Sequence, residues 1–551
     1  MNTWTREEIQ RIGYRVVDLI AEHLSALPDE PVFRPVPPER IQAFLSTPPP
    51  QDPVSPDDIL RLFEDAVEPY PFGNGHPRFW GWVNSPPAVM GIFADALAAA
   101  INPSCAGGNH AAIYVEHQVT AWFRAMLDFP ATSMGLLVSG GSMATMTALA
   151  VARHVKTDVD VRADGLRGAA PSAFYMSTEA HSCARKAIEL LGFGSASIRT
   201  IPTGPGYRMD VDALDAAIER DLASHVRPIA VVATGGSTNT GAIDDLAAIA
   251  AVCRRHGVWM HVDAAYGGPA ILSTDYAGAL RAIAQADSVA LDPHKWMFVP
   301  VEAGLVLVRD AEAMRSTFSL VPPYIRQAGS AGEVYGLPWF SEYGFQQTRG
   351  FRALKVWMTM QQFGLTGYKA AIDENIALAG YLADRVSGSP DLALMAPPSL
   401  SVVCFRYTGA GRGSGALEAN PDSRGKDEES PDRSAGLQAD PDRAAGPQAD
   451  PDRSAGLQAD PDRSAGLQAC PDRSAGLQAC PGEETLAALN RTLLERLQLG
   501  GEAFLTSTEL DGRFVLRACF VNYRSRREDV DRMLTAVRSI GAGLLNSPFT
   551  T

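Results

Sequence analysis

Lys295 stands at the end of an apolar run in the segment SVALDPHKWMFVP, beside Asp292 and His294. Partial burial next to other polar groups lowers the pKa of an amine, and a neutral amine forms a Schiff base with an aldehyde. The chain contains only six lysines, at positions 156, 186, 295, 355, 369 and 426. Lys295 is therefore the best candidate for amine chemistry, with a solvated surface lysine as the alternative interpretation.

A second candidate, Asp263, ends the apolar stretch VWMHVD upstream of Lys295. A carboxylate among apolar neighbours needs a cation or a hydrogen-bond donor as its partner. A protonated pyridine nitrogen is such a partner, because the carboxylate keeps the ring protonated and able to withdraw electrons from an attached carbon. A strand-end Asp that caps the next turn has the same pattern.

The segment GLLVSGGSMATMTALAVARH joins an apolar run, a Gly/Ser turn and a helical pattern. Glycines let backbone N–H groups approach an anion at a helix N-terminus, and serine hydroxyls add donors. Gly141 and Ser142 are therefore candidate phosphate ligands, although a plain capping turn looks the same. The segment has no GxGxxG pattern, and GxxxxGK[ST] occurs nowhere in the chain, so neither dinucleotide nor Walker-type nucleotide binding is indicated.

Two further segments place polar residues where an apolar run meets a helical pattern. His181 lies in STEAHSCARK, where its ring would be placed to cover a planar cofactor. Ser237 and Thr238 lie in ATGGSTNTG and are candidate hydroxyl donors. A structural histidine and ordinary turn residues are the alternatives.

These residues follow short apolar segments that alternate with helical patterns over residues 88–354. The segments are GLLVSG, SAFYMST, IAVVAT, VWMHVDAA and SVALD. Short apolar strands separated by helices predict parallel βαβ units, so this region is predicted to be a doubly wound α/β domain with a mostly parallel central sheet. Ligands of such sheets bind at the carboxyl ends of the strands, where the candidate residues lie.

The flanking regions predict two further units. Residues 1–87 combine a helical pattern over residues 5–26 with a Pro-rich stretch over residues 28–56, which predicts an N-terminal helical arm and dimerisation segment with an extended part. Residues 355–551 predict a smaller α+β domain, with helical segments near 352–363 and 368–387, strands in LSVVCFRYTG and RFVLRACFVN, and two later helices.

A decapeptide repeat interrupts the C-terminal region. Units such as PDRSAGLQAD start at residues 431, 441, 451, 461 and 471, within an insertion over residues 410–482. Each unit offers at most one large apolar residue, too little for a solenoid core. We expect a disordered insertion, with a partner-binding array as the alternative.

Composition excludes several functional classes. The 551 residues carry 48 basic and 63 acidic side chains, a net charge of −15, which argues against nucleic acid or an anionic membrane as partner. The seven cysteines form no CxxC pair or Cys/His cluster, so neither a disulfide scaffold nor a metal site is expected. The N-terminal segment resembles no signal peptide, and we expect a cytoplasmic protein.

The order SGGS, AHS, GGSTNTGAIDDL, HVDAAY and DPHKW resembles the group II pyridoxal-phosphate amino-acid decarboxylases, especially those acting on aromatic L-amino acids. The resemblance covers nearly the whole chain except the repeat insertion. It implies a fold-type I enzyme that binds pyridoxal 5'-phosphate (PLP) and works as a homodimer on a small amino-acid substrate.

The resemblance also implies a role for each candidate. Lys295 would form the Schiff base, Asp263 would pair with the pyridinium, and His181 would stack on the ring. The remaining cofactor contacts implied are Gly141, Ser142, Ser237, Ala265, Asp292 and His294. Tyr324 would lie on a mobile catalytic loop. Either Tyr324 or His181 would donate a proton to the α-carbon. Ser85 would lie near the substrate carboxylate and Trp82 in an aromatic pocket, where Trp80 and Phe79 are alternative pocket residues or simple packing.

Some positions depart from the family pattern, and they bear on the choice of substrate. Met143 follows the SGGS turn where an acidic residue is common, and Asp292 stands where many relatives have Asn. No dedicated arginine is evident for an acidic side chain, so an aromatic substrate is favoured. The alternatives are an acidic amino acid, an aldehyde-forming amino-acid oxidase, a carbon–carbon lyase, and a non-catalytic protein that recruits a partner through its repeat.

Overall fold

Two β-sheets organise the chain in the computed structural model, which describes residues 4–320, 336–409 and 482–546. The first sheet contains β1 (Met134–Val138), β2 (Ser172–Ser177), β3 (Ile198–Ile201), β4 (Arg227–Thr234), β5 (Trp259–Asp263), β6 (Ser288–Leu291) and β7 (Gly304–Val308). The second contains β8 (Leu392–Leu394), β9 (Val402–Tyr407), β10 (Thr506–Leu510) and β11 (Arg513–Cys519). Tyr324 and residues 410–481 of the repeat insertion lie outside the described residues.

The larger sheet has the strand order β1-β7-β6-β5-β4-β2-β3. Neighbours from β6 to β3 pair in parallel, whereas β7 runs antiparallel to both β6 and β1. The five strands predicted in this region are all present, and the mostly parallel α/β architecture is confirmed. β3 and the antiparallel β7 were not predicted. β7 is fully buried, and a short apolar run does not reveal strand direction.

Helices cover the sheets and form the N-terminal region. They are α1 (Arg6–Ala26), α2 (Pro38–Ser46), α3 (Pro56–Ala66), α4 (Val89–Ile101), α5 (Ala111–Met126), α6 (Gly141–Lys156), α7 (Ser182–Leu190), α8 (Val211–Ala223), α9 (Leu246–His256), α10 (Ala277–Leu280), α11 (Ala311–Phe318), α12 (Arg352–Ser387), α13 (Glu483–Leu499) and α14 (Arg527–Asn546).

The N-terminal region differs in one respect from the prediction. α1 matches the expected helix and begins with a capping box between Thr5 and Glu8. The Pro-rich stretch is not wholly extended, however, because it contains α2, which has Pro38 at its first position. Proline is well tolerated there, since its missing N–H would have no intrahelical partner.

The C-terminal part is an antiparallel sheet with the order β10-β11-β9-β8, packed against helices as predicted. α12 spans the junction at residues 354 and 355 between the two predicted domains. It is interrupted at Gly364, whose φ of 61° is readily adopted by glycine, so the two helical segments predicted here are confirmed. No helix in the described ranges is both long and apolar enough to span a membrane.

A buried ion pair fixes the entry to α12 against the larger sheet. The Arg349 guanidinium binds the Glu116 carboxylate on α5, and both side chains are almost wholly buried. Arg349 also donates to the carbonyls of Cys105 and Leu137, while the N–H of Leu137 donates to Glu116 at 3.0 Å. These contacts join α5, β1 and the segment before α12 next to the strand ends that form the candidate site.

Candidate active site

A cleft of about 420 Å³ opens at the carboxyl ends of the strands of the larger sheet. Its walls come from segments that follow different strands of that sheet. The lining residues are Ser139, Gly140, Gly141, Ser142, Met143, Glu179, His181, Cys183, Thr234, Gly236, Ser237, Thr238, Asp263, Ala265, Tyr266, Asp292, His294, Lys295 and Glu302. The structure therefore brings together every candidate cofactor contact, as expected for ligand sites of open α/β sheets.

Lys295 lies in the turn that follows β6. Its Nζ is 3.0 Å from Oδ2 of Asp292, and its backbone N–H donates to the carbonyl of Asp292 at 2.9 Å. Burial alone would lower the pKa of Lys295, but the nearby carboxylates of Asp292 and Asp263 outweigh burial and raise it. The expected depression of the lysine pKa is therefore wrong, because two acids rather than neutral polar groups surround the amine.

Asp263 is the last residue of β5. Its Oδ1 accepts a hydrogen bond from the N–H of Ala265 at 3.1 Å, and it pairs in register with Thr234 of β4. Ala265 is buried in the cleft floor. A carboxylate and a small side chain thus lie side by side in the cleft.

His181 forms the N-cap of α7. Its Nδ1 accepts from the N–H of Cys183 at 3.2 Å, while the residue as a whole remains exposed. The capping bond fixes the ring position, so the capping role and a role in covering a planar ligand are compatible. Ser237 is buried, with its Oγ 2.9 Å from Oγ1 of Thr240, whereas Thr238 is only partly buried.

The Gly/Ser turn leads directly into α6. A Cβ on Gly141 would lie 2.9 Å from Oδ2 of Asp292 and 3.1 Å from Cβ of Ala265, so only glycine fits without displacement. Ser142 is exposed in the first turn of this 16-residue helix. The free N–H groups of a first helical turn point outward and favour an anion.

Two candidate substrate contacts lie outside this set of lining residues. The Ser85 hydroxyl donates to the carbonyl of His294 at 3.1 Å, which places it behind the turn that carries Lys295. Trp82 is 43% exposed and packs in an aromatic cluster with Phe72, Phe79 and Phe504. Trp80 is fully buried and donates to Ser525 at 2.9 Å, so Trp80 and Phe79 have packing roles in the described chain.

Sequence reasoning missed two acids that line the cleft, Glu179 and Glu302. Glu179 Oε1 accepts from Asn239 at 3.4 Å, Oε2 is buried without a hydrogen-bond partner in the described residues, and burial raises the pKa of this carboxyl. Glu302 pairs with Arg352 at 2.7 Å. Glu179 lies two residues before His181, so its proximity was a usable signal, whereas Glu302 depends on the turn into β7.

The chain matches a family of known proteins. The model of the pyridoxal-dependent decarboxylase conserved domain matches residues 38–408, well over half of the chain. The chain belongs to this family. The predicted family is thereby confirmed, together with PLP as the cofactor and carboxy-lyase chemistry on an amino acid.

Individual relatives agree with this assignment. The chain is 36% identical over 403 residues to an aromatic-L-amino-acid decarboxylase of Bacillus atrophaeus, covering 73% of this chain and 82% of that protein. It is 35% identical over 339 residues to an L-2,4-diaminobutyrate decarboxylase of Rhizobium meliloti, covering 61% and 66%. A solved structure of Oryza sativa TDC with PLP and tryptamine superposes with a TM-score of 0.80 at 25% identity, covering 99% of this chain and all of that one.

The residues of this pyridoxal-dependent decarboxylase fit its cofactor. The cleft offers an amine for the aldehyde, a carboxylate for the ring nitrogen, and a glycine turn with free N–H groups for the phosphate. The space at Gly141, between Asp292 and Ala265, would be filled by any larger side chain. The donor set thus matches an aldehyde, a basic ring nitrogen and an anion at once.

Proposed function

We propose that the chain decarboxylates an aromatic L-amino acid to its amine, with Lys295 as the residue that binds the PLP aldehyde covalently. The observation that carries the proposal is the convergence of Lys295, Asp263 and the Gly141 turn in one cleft. Lys295 would bind the aldehyde, Asp263 the ring nitrogen and the Gly141 turn the phosphate, so each would bind a different group of the cofactor.

Bound PLP supplies an aldehyde for covalent attachment and a ring that withdraws electrons from the substrate α-carbon. Asp263 would keep a proton on the ring nitrogen, Gly141 and Ser142 would bind the phosphate through the start of α6, and His181 would cover the ring. These contacts would hold cofactor and substrate in a fixed relative orientation. Tyr324 or His181 would then deliver a proton to the substrate α-carbon.

The charges of the cleft support a substrate without an acidic side chain. Among the described lining residues the acids are Glu179, Asp263, Asp292 and Glu302, and no arginine is present. A second carboxylate on the substrate side chain would therefore find no arginine partner among these lining residues. The relatives named above act on aromatic amino acids and on a diamino acid, which agrees with this charge pattern.

We also propose a homodimer with a division of the chain at residues 87 and 354. Neither α1 nor α3 has a buried residue, and Ile9, Val16, Val17, Ile59 and Leu62 are exposed, which supports a role for residues 1–87 in dimerisation. A cytoplasmic location is supported by Cys105, Cys183, Cys253, Cys404 and Cys519, which are all free thiols.

A panel of the twenty amino acids tests the function. Carbon dioxide, amine, aldehyde and peroxide are measured together, and we expect carbon dioxide and amine in equal amounts from an aromatic substrate. Aldehyde with peroxide would indicate the oxidase instead. A product of carbon–carbon cleavage would indicate the lyase, and an inactive protein without visible absorption would support a recruiting role for the repeat.

The covalent residue is tested by Lys295→Ala. We expect this variant to lose the absorption band above roughly 400 nm and all activity, because no other amine faces the cleft among the described residues. The matched control is Lys186→Ala, which removes an exposed lysine from α7. Borohydride reduction that fixes the cofactor to another lysine in wild-type protein would contradict the assignment.

A further inference from the structure

Asp292 places a buried carboxylate directly on the amine of Lys295. Its Oδ2 lies 3.0 Å from Nζ, and the aspartate is only 2% exposed. The hydrogen bond from the Lys295 N–H to the Asp292 carbonyl closes a turn that holds the two side chains on the same side. The contact is therefore fixed by the backbone after β6.

Other titratable groups face the amine less directly. Asp263 at the end of β5 and the Cys183 thiol on α7 act on Lys295 through space. His294 Nε2 is 3.9 Å from Oδ2 of Asp292. Within the described ranges, Asp292 is the only acid that forms an ion pair with Lys295.

The Asp292 carboxylate also lies against the start of α6. Its Oδ2 is 2.9 Å from the position of a Cβ on Gly141, and its Oδ1 is buried with no hydrogen-bond partner among the described residues. An ionised carboxylate at this point would repel a phosphate at the same helix end unless a cation compensates it. The ammonium of Lys295 is the nearest such cation.

We propose that Asp292 is a positioning residue that holds the free Lys295 amine as an ammonium and thereby sets the pH at which this lysine attacks an aldehyde. The proposal rests on the proposed role of Lys295. Attack requires the nitrogen lone pair, so one Nζ–H bond must break. The proton passes to Oδ2 of Asp292 or to solvent. Attack forms the C–N bond, and the carbonyl oxygen leaves as water after a second Nζ–H bond breaks, so no oxidant or reductant is needed.

The test is the pH dependence of aldehyde capture by the full-length protein after removal of its cofactor. Pyridoxal, which lacks the phosphate, is added at a series of pH values, borohydride fixes the adduct, and peptide mapping measures labelled Lys295. We compare wild type with Asp292→Asn, and use Glu179→Gln as a control that removes a cleft carboxylate without touching the lysine. Asp292→Ser is a second neutral variant in case the amide disturbs folding.

We expect the midpoint of labelling to move down by about 1–3 pH units in Asp292→Asn and Asp292→Ser, since an opposite charge at this distance shifts a pKa by that amount. Glu179→Gln should keep the wild-type midpoint. An unchanged midpoint in both Asp292 variants, or an equal shift in Glu179→Gln, would overturn the proposal.

Two further outcomes separate the possible causes. Repeating the titration with PLP shows whether Asp292 acts only on the phosphate. If the Asp292 variants bind PLP more tightly but their labelling midpoint with pyridoxal does not shift, the positioning role is overturned. If neither aldehyde labels Lys295 in wild-type protein, the proposed function fails, and that result is distinct from labelling with an unshifted midpoint.

Discussion

At the scale of single residues, His76 illustrates how burial links the pH to stability. Its Nε2 is 3.0 Å from the carbonyl of Glu30, and its Nδ1 accepts from the N–H of Arg78 at 3.0 Å. Burial, reinforced by the charge of Arg78, lowers the pKa of His76 to about 4. His261 is also fully buried, and burial lowers its pKa to about 4. Both rings are therefore neutral in the folded protein.

Acid should destabilise the fold through these histidines. An unfolded histidine has a pKa near 6.5, so the unfolded state binds more protons as the pH falls from about 6.5 towards 4. The stabilisation is complete above that range and is lost on acidification, by roughly 2 kcal/mol per histidine at pH 5. We predict that His76→Asn, whose side-chain carbonyl can still accept from the N–H of Arg78, reduces the acid-induced loss of unfolding free energy by about that amount.

The measurement is the free energy of unfolding from urea titrations between about pH 7 and pH 5. His225→Asn is the control, because it makes the same change at an exposed histidine. A pH dependence in His76→Asn as steep as in wild type would contradict the argument.

Lys295 shows what the sequence reveals about a site residue and what it leaves hidden. The position at the end of an apolar run and the scarcity of lysines were enough to select it. The direction of its pKa shift was not, because that direction depends on the 3.0 Å contact with Asp292 and on the approach of Asp263 from another strand. Such distances are set by the fold and have no signature in residue spacing.

At the scale of elements, the junction of β1 and α6 leaves no room for a side chain at Gly141. A Cβ on Gly141 would approach Asp292 and Ala265 to within 2.9 and 3.1 Å. We predict that Gly141→Ala raises the Kd for PLP at least about tenfold, a loss of about 1.4 kcal/mol, because the side chains at the phosphate turn must move apart.

The control for this variant is Gly380→Ala in α12. A Cβ at Gly380 would have nothing within 4 Å, so the change should stabilise the helix by about 0.5–1 kcal/mol and leave PLP affinity unchanged. Equilibrium dialysis measures both Kd values. Equal Kd values for PLP in the two variants would show that the turn at Gly141 is not the phosphate site.

The parallel strands were predictable because each is short, apolar and followed by a helical pattern. The antiparallel β7 was not, since GLVLV is equally apolar and no hairpin signal precedes it. β7 lies between β6 and β1, so the strands that precede the Lys295 turn and the Gly141 turn are not neighbours in the sheet. Most of the strands were predictable from the sequence. The strand order, which places both turns in one cleft, required the structure.

At the scale of the whole molecule, α1 and α3 leave part of their apolar surface exposed in the described chain. Neither α1 nor α3 has a buried residue. The two helices are linked by the pair of Arg11 with Asp57, at 2.6 Å, and by the pair of Arg15 with Glu64. Exposed ion pairs of this kind contribute little. The apolar side chains of both helices therefore need another surface, and a second copy of the chain would supply it.

Leu62, on α3 and 59% exposed, is the position that tests the proposed dimer. We predict that wild type sediments as a dimer and that Leu62→Glu shifts it towards monomer, because a carboxylate in an apolar interface must be desolvated. Leu190→Glu makes the same change at the end of α7, where leucine is 73% exposed, and should remain dimeric. Analytical ultracentrifugation over a range of concentrations measures both. An undisturbed dimer in Leu62→Glu would remove α3 from the interface, and a fully active wild-type monomer would remove the dimer itself.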